Sequence, residues 1–273
     1  MIAIVGALQR ETSGITRSLG YRAIEGPEDF TVYTAASNQN PPIIVSGSGP
    51  ERASKGTAWA IDKFNPEAIV SVGFCGASQE HQRSGDLVVA TGAINLPGSP
   101  FEWTMPIATD SIDANQSLLV AARAAVEIAG IDYDIGPMVT ISSLATASGT
   151  KRWLGETVGA TAIDTRSHAI ASTATERNVP WISVSAVLDD MDVNVPKIID
   201  RVDAGPKQRG TDIYIKHLLR YPKDFPTLRR LKFASDLAKT SLTNFLPVFI
   251  KAYSDIKVNY SANERPLVNF EVT

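Results

Sequence analysis

Residues 43–73, IIVSGSGPERASKGTAWAIDKFNPEAIVSVG, decide the fold class. Pro42–Ser46 is a short β-rich apolar run, Ser46–Gly49 a glycine turn, and Ala53–Phe64 a helical stretch that stops at the helix-ending pair Asn65-Pro66. Ala68–Gly73 then has the composition of a strand covered on both faces. The same alternation extends outward. Ile2–Ala7 and Phe30–Ala36 read as strands before it, and Asp86–Ala93, Gly136–Ile141, Ala160–Asp164 and Trp181–Leu188 as strands after it. Between them, Asn115–Ala129 places Leu118, Leu119, Ala122, Ala125, Val126 and Ala129 at helical spacing, with Gly130 to close the helix. Ser167–Arg177 reads as a further helix, ending before Asn178-Val179-Pro180. Strands and helices in alternation imply a layered α/β fold with a mostly parallel sheet.

Beyond Asp192 the character changes. Gly205–Gly210 is polar and expected to be mobile, and Tyr214–Tyr253 is basic and helical in propensity, punctuated by Pro222, Pro226 and Pro247. Ser261–Thr273 lacks periodicity and reads as a tail or an oligomer arm. The expected organisation is a single domain, with an α/β part over residues 1–204 and a helical extension and tail over 205–273.

Composition narrows the class. The chain has 273 residues, 44% hydrophobic and 20% charged, with a net charge of −3, so a sizeable core is available without staples and a dedicated nucleic-acid binder is disfavoured. Its single cysteine, Cys75, excludes a disulfide framework and any multi-cysteine metal site. His81, His168 and His217 are far apart and lack metal-ligand spacing, so neither a metal nor a cofactor is expected. No apolar run approaches the ~20 residues of a membrane span. The N-terminus, MIAIVGALQRETSG, lacks the basic region of a signal peptide and reads as a strand running into a loop; a soluble cytoplasmic protein is the expectation.

Four constellations are candidates for chemistry. In Ile43–Arg52 a strand meets a glycine turn and a helix start, where backbone N–H groups suit an oxyanion such as phosphate and Arg52 adds a bidentate donor; the alternative is a structural turn. Gly73-Phe74-Cys75-Gly76 follows a buried strand, where glycines permit close approach of a ligand or merely form a tight turn. Asp189 stands at the carboxyl end of an apolar strand and suits a general acid, its proton affinity raised by Asp190 and Asp192; a solvated acidic turn is the alternative. Glu11 follows the first strand and pairs with Asp189 only if the strand order brings both to one crevice.

Taken together, these segments resemble the nucleoside phosphorylase superfamily, which includes purine nucleoside phosphorylases and methylthioadenosine/adenosylhomocysteine nucleosidases. The resemblance rests on Gly6–Glu11, Ser46–Gly49, Val70–Ala77, Ser84–Val89, Ile163–Ala171 and Val179–Asp189, in the family's order over roughly residues 1–192. Gly49–Ala53, Gly85–Ala90 and Ser167-His168-Ala169 look most similar to the hopanoid-associated phosphorylase branch. The resemblance implies a three-layer α/β/α fold with a central mixed, mostly parallel twisted sheet. It further implies cleavage of the N-glycosidic bond of a purine nucleoside or adenosine conjugate, including an adenosylhopane-like one, by phosphate or by water. Inorganic phosphate is thus an optional co-substrate, and a homo-oligomer is expected.

By the same resemblance Asp189 is the acid that assists the leaving purine, and Glu11 is the carboxylate that positions a water. Ser46, Gly47, Gly49 and Arg52 lie near the attacking group, while Phe74, Cys75, Gly76, Thr165, Arg166 and Ser167 line the substrate pocket. Thr165-Arg166 stand where the family has Met-Glu, Ser185 where an arginine is common, and Leu188 where serine precedes the acid. Arginine only donates and cannot accept from a ribose hydroxyl. The alternative is therefore a repurposed or non-catalytic protein that binds a nucleoside or terpenoid lipid. The basic, Phe-containing C-terminal segment packs on the core or touches a membrane surface.

Overall fold

The computed structural model describes residues 1–27, 30–35, 40–98, 110–196, 198–199 and 217–263. Gly205–Gly210, residues 214–216, Ala36 and residues 264–273 lie outside these, so the expectations placed on them are not addressed by the structure. Ten strands form one sheet: β1 (Ile2–Gly6), β2 (Arg22–Glu25), β3 (Thr31–Thr34), β4 (Ile43–Val45), β5 (Ala68–Ala77), β6 (Leu87–Leu96), β7 (Asp110–Asp113), β8 (Tyr133–Ile141), β9 (Ala162–Asp164) and β10 (Trp181–Asp189). The helices are α1 (Gln9–Ser18), α2 (Pro50–Phe64), α3 (Gln116–Ala129), α4 (Ser148–Trp153), α5 (Ser167–Glu176) and the 39-residue α6 (Phe225–Asn263).

The alternating α/β reading holds, but the sheet is not a simple open one. Strand β5 pairs with β10, which pairs with β6, then β8, then β9, and β9 returns to β5, closing a five-stranded barrel. From β5 an open limb runs through β1, β4 and β3 to β2, and β7 pairs β6. Five ladders are parallel and five antiparallel among the described residues, so "mostly parallel" gives way to evenly mixed. The physical reason is the length of β5. The sequence suggests a stop at Gly73, but the strand continues to Ala77, and its last residues Gly76 and Ala77 pair Ile163 and Ala162 of β9. Small and slender side chains fill the barrel: Cys75, Ala77, Val88, Ala90, Met138, Ala162 and Val187 form one buried cluster with Met191.

The helix ends behave as their residues dictate. Pro50 occupies the first turn of α2, and Asn65 terminates it in the left-handed region at φ 44°. Asn115 caps α3 by accepting the Leu118 N–H, and Gly130 ends it at φ 62°. Helix α1 replaces the expected loop after β1. Its buried face is Glu11, Thr12, Ile15 and Thr16, nearly devoid of apolar periodicity, which is why the pattern reads as a loop. Gly14 lets α1 approach α6, since a Cβ there would lie 1.9 Å from Thr243 Oγ1.

Helix α6 buries Ala238, Leu242, Phe245, Leu246 and Phe249 in the main core beside strand residues such as Ile69, Val70 and Val184. Phe245 and Phe249 stack at 5.4 Å between centroids. No helix among the described residues is long and apolar enough to cross a membrane. Because Phe249 is fully buried, Phe249→Ala is expected to destabilise the whole domain by about 3–5 kcal/mol. Urea unfolding followed at Trp181 would show this as a lowered midpoint in one transition; separate melting of a detached helix would contradict it.

Candidate active site

One cavity lies where β1, β5 and β10 end. Strand β5 runs between the other two, with Val5 paired to Ser71 on one side and Ser185 to Gly73 on the other, so residues following β1 and ending β10 face a common space. Glu11 and Asp189 both line it, together with Gly49, Phe74, Cys75, Gly76, Thr165 and Arg166. The expected pairing of the two carboxylates in one crevice is therefore what the strand order produces.

Glu11 is held tightly. It sits in the first turn of α1, and its Oε2 accepts N–H groups from Ala7 at 2.9 Å and Leu8 at 2.8 Å, the second as in a capping box. Oε1 accepts the Phe74 N–H of β5 at 3.0 Å and lies 3.6 Å from Arg166 Nη1. A carboxylate so tethered is fixed in position, which suits an orienting role.

Arg166 supplies a buried cation beside Glu11. Its guanidinium donates through Nη1 to the Phe74 carbonyl and through Nη2 to Ser185 Oγ, both at 3.2 Å. The resemblance places an arginine at 185; here the guanidinium of Arg166 is hydrogen-bonded to the serine that stands there. The guanidinium thus stands beside the Glu11 carboxylate. Gly73 makes this possible: a Cβ at that position would lie 2.2 Å from Arg166 Nη2 and 2.7 Å from Glu11 Oε1.

Asp189 ends β10 opposite Gly76 and is ion-paired with Lys151 Nζ, a fully buried ammonium from α4. Burial pushes the Asp189 carboxyl above the usual carboxylate range; Lys151 opposes that shift, and Asp190 adds repulsion. Nothing in the spacing of the sequence marks Lys151, because a lysine in a short polar helix ordinarily faces water. Asp164 organises the opposite wall. Its carboxylate accepts from Thr140 Oγ1 and from the N–H groups of Arg166 and Ser167, capping α5.

Four predicted residues stand behind the cavity wall. Ser46 is buried against the Gly6 carbonyl, and Gly47, at φ 92°, packs on Arg52. Arg52 turns back towards its own turn, donating through Nη1 to the Ser46 carbonyl at 3.4 Å. Ser167 donates to Asp164 and shares a hydrogen bond with Ser183. Among the described residues no group of three His, Cys, Asp or Glu side chains is placed to hold a metal ion. Apolar residues line the rest of the cavity: Ile141 and Leu188, and a cluster of Leu144, Val195 and Ile199.

Two outcomes are expected of this geometry. Gly73→Ala forces apart the guanidinium and carboxylate that cross over it, lowering stability by about 1–3 kcal/mol; in an Arg166→Ala background the same change costs less, and additive effects in the double-mutant cycle would contradict the crossing. Burial, with repulsion from Asp164, pushes the Cys75 thiol well up. Iodoacetamide at pH 8 should therefore leave Cys75 unmodified in the native protein and alkylate it after denaturation, as read by mass spectrometry.

Comparison with known proteins follows the same lines. The profile of the Phosphorylase superfamily matches residues 1–206. A 5′-methylthioadenosine/S-adenosylhomocysteine nucleosidase of Exiguobacterium sp. is 25% identical over 201 residues, 70% of this chain and 85% of that protein. The fold is similar to that of the Neisseria meningitidis enzyme of the same name, with a TM-score of 0.65 at 18% identity over 94% of this chain and 98% of that one. Futalosine hydrolase of Helicobacter pylori gives a TM-score of 0.65 at 17% identity, over 93% of this chain and 97% of its own. From its profile, its barrel and limb, and the carboxylates they bring together, the chain is an enzyme belonging to the phosphorylase superfamily.

Proposed function

We propose that this enzyme hydrolyses the N-glycosidic bond of a purine nucleoside, with an adenosine bearing an apolar 5′ substituent as the preferred substrate. The observation that carries this reading is the pairing, in one cavity, of a buried carboxyl with raised proton affinity, Asp189, and a carboxylate fixed by three N–H groups, Glu11. Protonation of the departing base by Asp189 lets the C–N electron pair leave with the purine while the ribosyl ring gains oxocarbenium character. Water held by Glu11 attacks the anomeric carbon and gives up a proton to that carboxylate. No cofactor enters this scheme.

Water is favoured over phosphate because Arg52, the cation beside the glycine turn, is engaged with the Ser46 carbonyl and does not line the cavity. The apolar end formed by Leu144, Val195 and Ile199 suits a 5′-methylthio group, and an adenosylhopane-like conjugate is the large-substituent limit of the same class. The nucleosidase names of the relatives support the hydrolytic reading. A second reading, binding without turnover, is favoured by Arg166, which puts donors where the resemblance places a ribose-binding acceptor.

The deciding experiment incubates the purified protein with 5′-methylthioadenosine, S-adenosylhomocysteine and an adenosine–lipid conjugate, with and without phosphate, and measures free adenine. Adenine release independent of phosphate, falling by about 10²–10⁴-fold in Asp189→Asn, is expected. Phosphate-dependent release would make the enzyme a phosphorylase. Tight binding with no release would establish the second reading.

A further inference from the structure

We propose that Lys151 is a positioning residue for the acid: its caged ammonium holds Asp189 in place and receives the carboxylate that forms when Asp189 gives up its proton. The inference deepens the hydrolase reading and rests on Asp189 acting as the acid.

The cage is complete. Lys151 Nζ donates to Asp189 Oδ2, to the Asp190 carbonyl at 3.1 Å and to the Val193 carbonyl at 2.8 Å, so three acceptors meet the three donors of an ammonium. A neutral amine would present only two hydrogens to these three oxygens. The side chain is wholly shielded from solvent. A buried cation without a counter-charge would be costly, and the carboxylate left on Asp189 once its proton is given up supplies that counter-charge.

The neighbouring charges leave Lys151 to Asp189 alone. Asp190 Oδ1 accepts from the Ser84 N–H and Ser84 Oγ, both at 2.9 Å, and its Oδ2 pairs with Arg230 of α6 at 2.6 Å. Asp192 lies 3.4 Å from Arg152, which also pairs with Glu80. On the β5 side the titratable neighbour of Asp189 is the buried Cys75.

The chemical step balances without proton loss from Lys151. The Asp189 O–H bond breaks as the base N–H bond forms, and the glycosidic electron pair goes to the base. The new carboxylate is taken up by the ammonium already in contact with it. Burial raises the proton affinity of Asp189, Lys151 lowers it and Asp190 raises it, so the lysine keeps the acid from becoming too weak to give its proton away. Lys151 also joins two cavity walls. It lies on the helix that follows the Ser142–Ala145 segment and reaches the Asp190–Val193 turn, where Thr146 accepts the Val195 N–H at 2.8 Å and Asn194 accepts the Ser148 N–H at 2.9 Å.

The test compares wild type, Lys151→Met and Lys151→Arg by kcat and kcat/KM against pH for 5′-methylthioadenosine. It also follows the Asp189 carboxyl directly, by 13C NMR of aspartate-labelled protein with the signal assigned through Asp189→Asn. An acid loses activity as pH rises through its pKa. Removing the ammonium should therefore move the Asp189 titration and the alkaline limb of kcat upward by roughly 1–3 pH units, the range an adjacent opposite charge produces. The kcat plateau should fall by at least about tenfold with a smaller change in KM. Lys151→Arg should restore the limb to near its wild-type position.

Unchanged titration in a folded Lys151→Met protein would overturn the proposal, as would a loss of rate uniform across pH. Should Lys151→Met fail to fold by circular dichroism, the Lys151 15Nζ resonance decides between the outcomes. It should be displaced in Asp189→Asn relative to wild type because the contacting carboxyl has changed, and an unaltered resonance would refute the pairing. Absence of turnover in wild type would defeat the hydrolase reading alone, because the Asp189 titration and the Lys151 resonance remain readable without it.

Discussion

Strand β5 is the constraint on which this molecule depends. It is ten residues long and pairs with β1 along its first half, with β10 along nearly its whole length, and with β9 at its end. Each pairing has a separate consequence: β1 carries the limb and delivers α1 with Glu11, β10 delivers Asp189, and β9 closes the barrel and starts the segment holding Arg166. Glycine at 73 leaves room for the side chains of Arg166 and Glu11 to cross the strand. A polypeptide backbone thereby serves as the floor of a polar cavity that would otherwise be filled by its own side chains.

Charge at this floor is arranged as pairs. Glu11 faces Arg166 and Asp189 faces Lys151, with each pair buried and Glu11, Arg166 and Lys151 also hydrogen-bonded to backbone. Buried pairs contribute little net stability, since desolvation offsets most of the Coulomb attraction, so their value lies in fixing geometry. The pairs differ in kind. Glu11 is fixed as a carboxylate by three N–H donors with acceptor capacity to spare, whereas burial favours the neutral form of Asp189. Two carboxyl groups in one cavity are thus given different environments, the usual way in which acid and orienting roles are separated.

Much of this was readable in the sequence because apolar runs announce strands wherever they lie. β1, β5, β6, β8 and β10 were each visible as such runs, and helix α3 by spacing and cap residues. With those strands known, the glycine pair at 73 and 76 and the carboxylates at 11 and 189 stood out as candidates. The barrel was not readable, because closure depends on how far β5 continues past Gly73, and glycine looks the same as a stop or as a crossing point. Helix α1 was hidden by its polar buried face, although Glu11 three residues after Leu8 is a helix-start signal of the capping-box type. Lys151 was hidden for a different reason: a counter-ion relationship spanning 38 residues leaves no mark on local sequence. The serine at 185 read as a lost arginine, yet its small side chain is what admits the guanidinium of Arg166 from another segment.

Barrel closure also bears on how the molecule behaves at high concentration. An open sheet of this size would offer two lateral rows of unpaired N–H and C=O groups along its longest strands, templates for pairing with another chain. Closure occupies those rows on β5, β6, β8 and β10 within the molecule itself. Among the described residues the strands left at a margin are β2 and β7, each four residues long, and their sequences Arg-Ala-Ile-Glu and Asp-Ser-Ile-Asp carry charge at both ends. Short charged margins are poor templates, so the geometry that assembles the cavity also protects the chain from edge-to-edge aggregation.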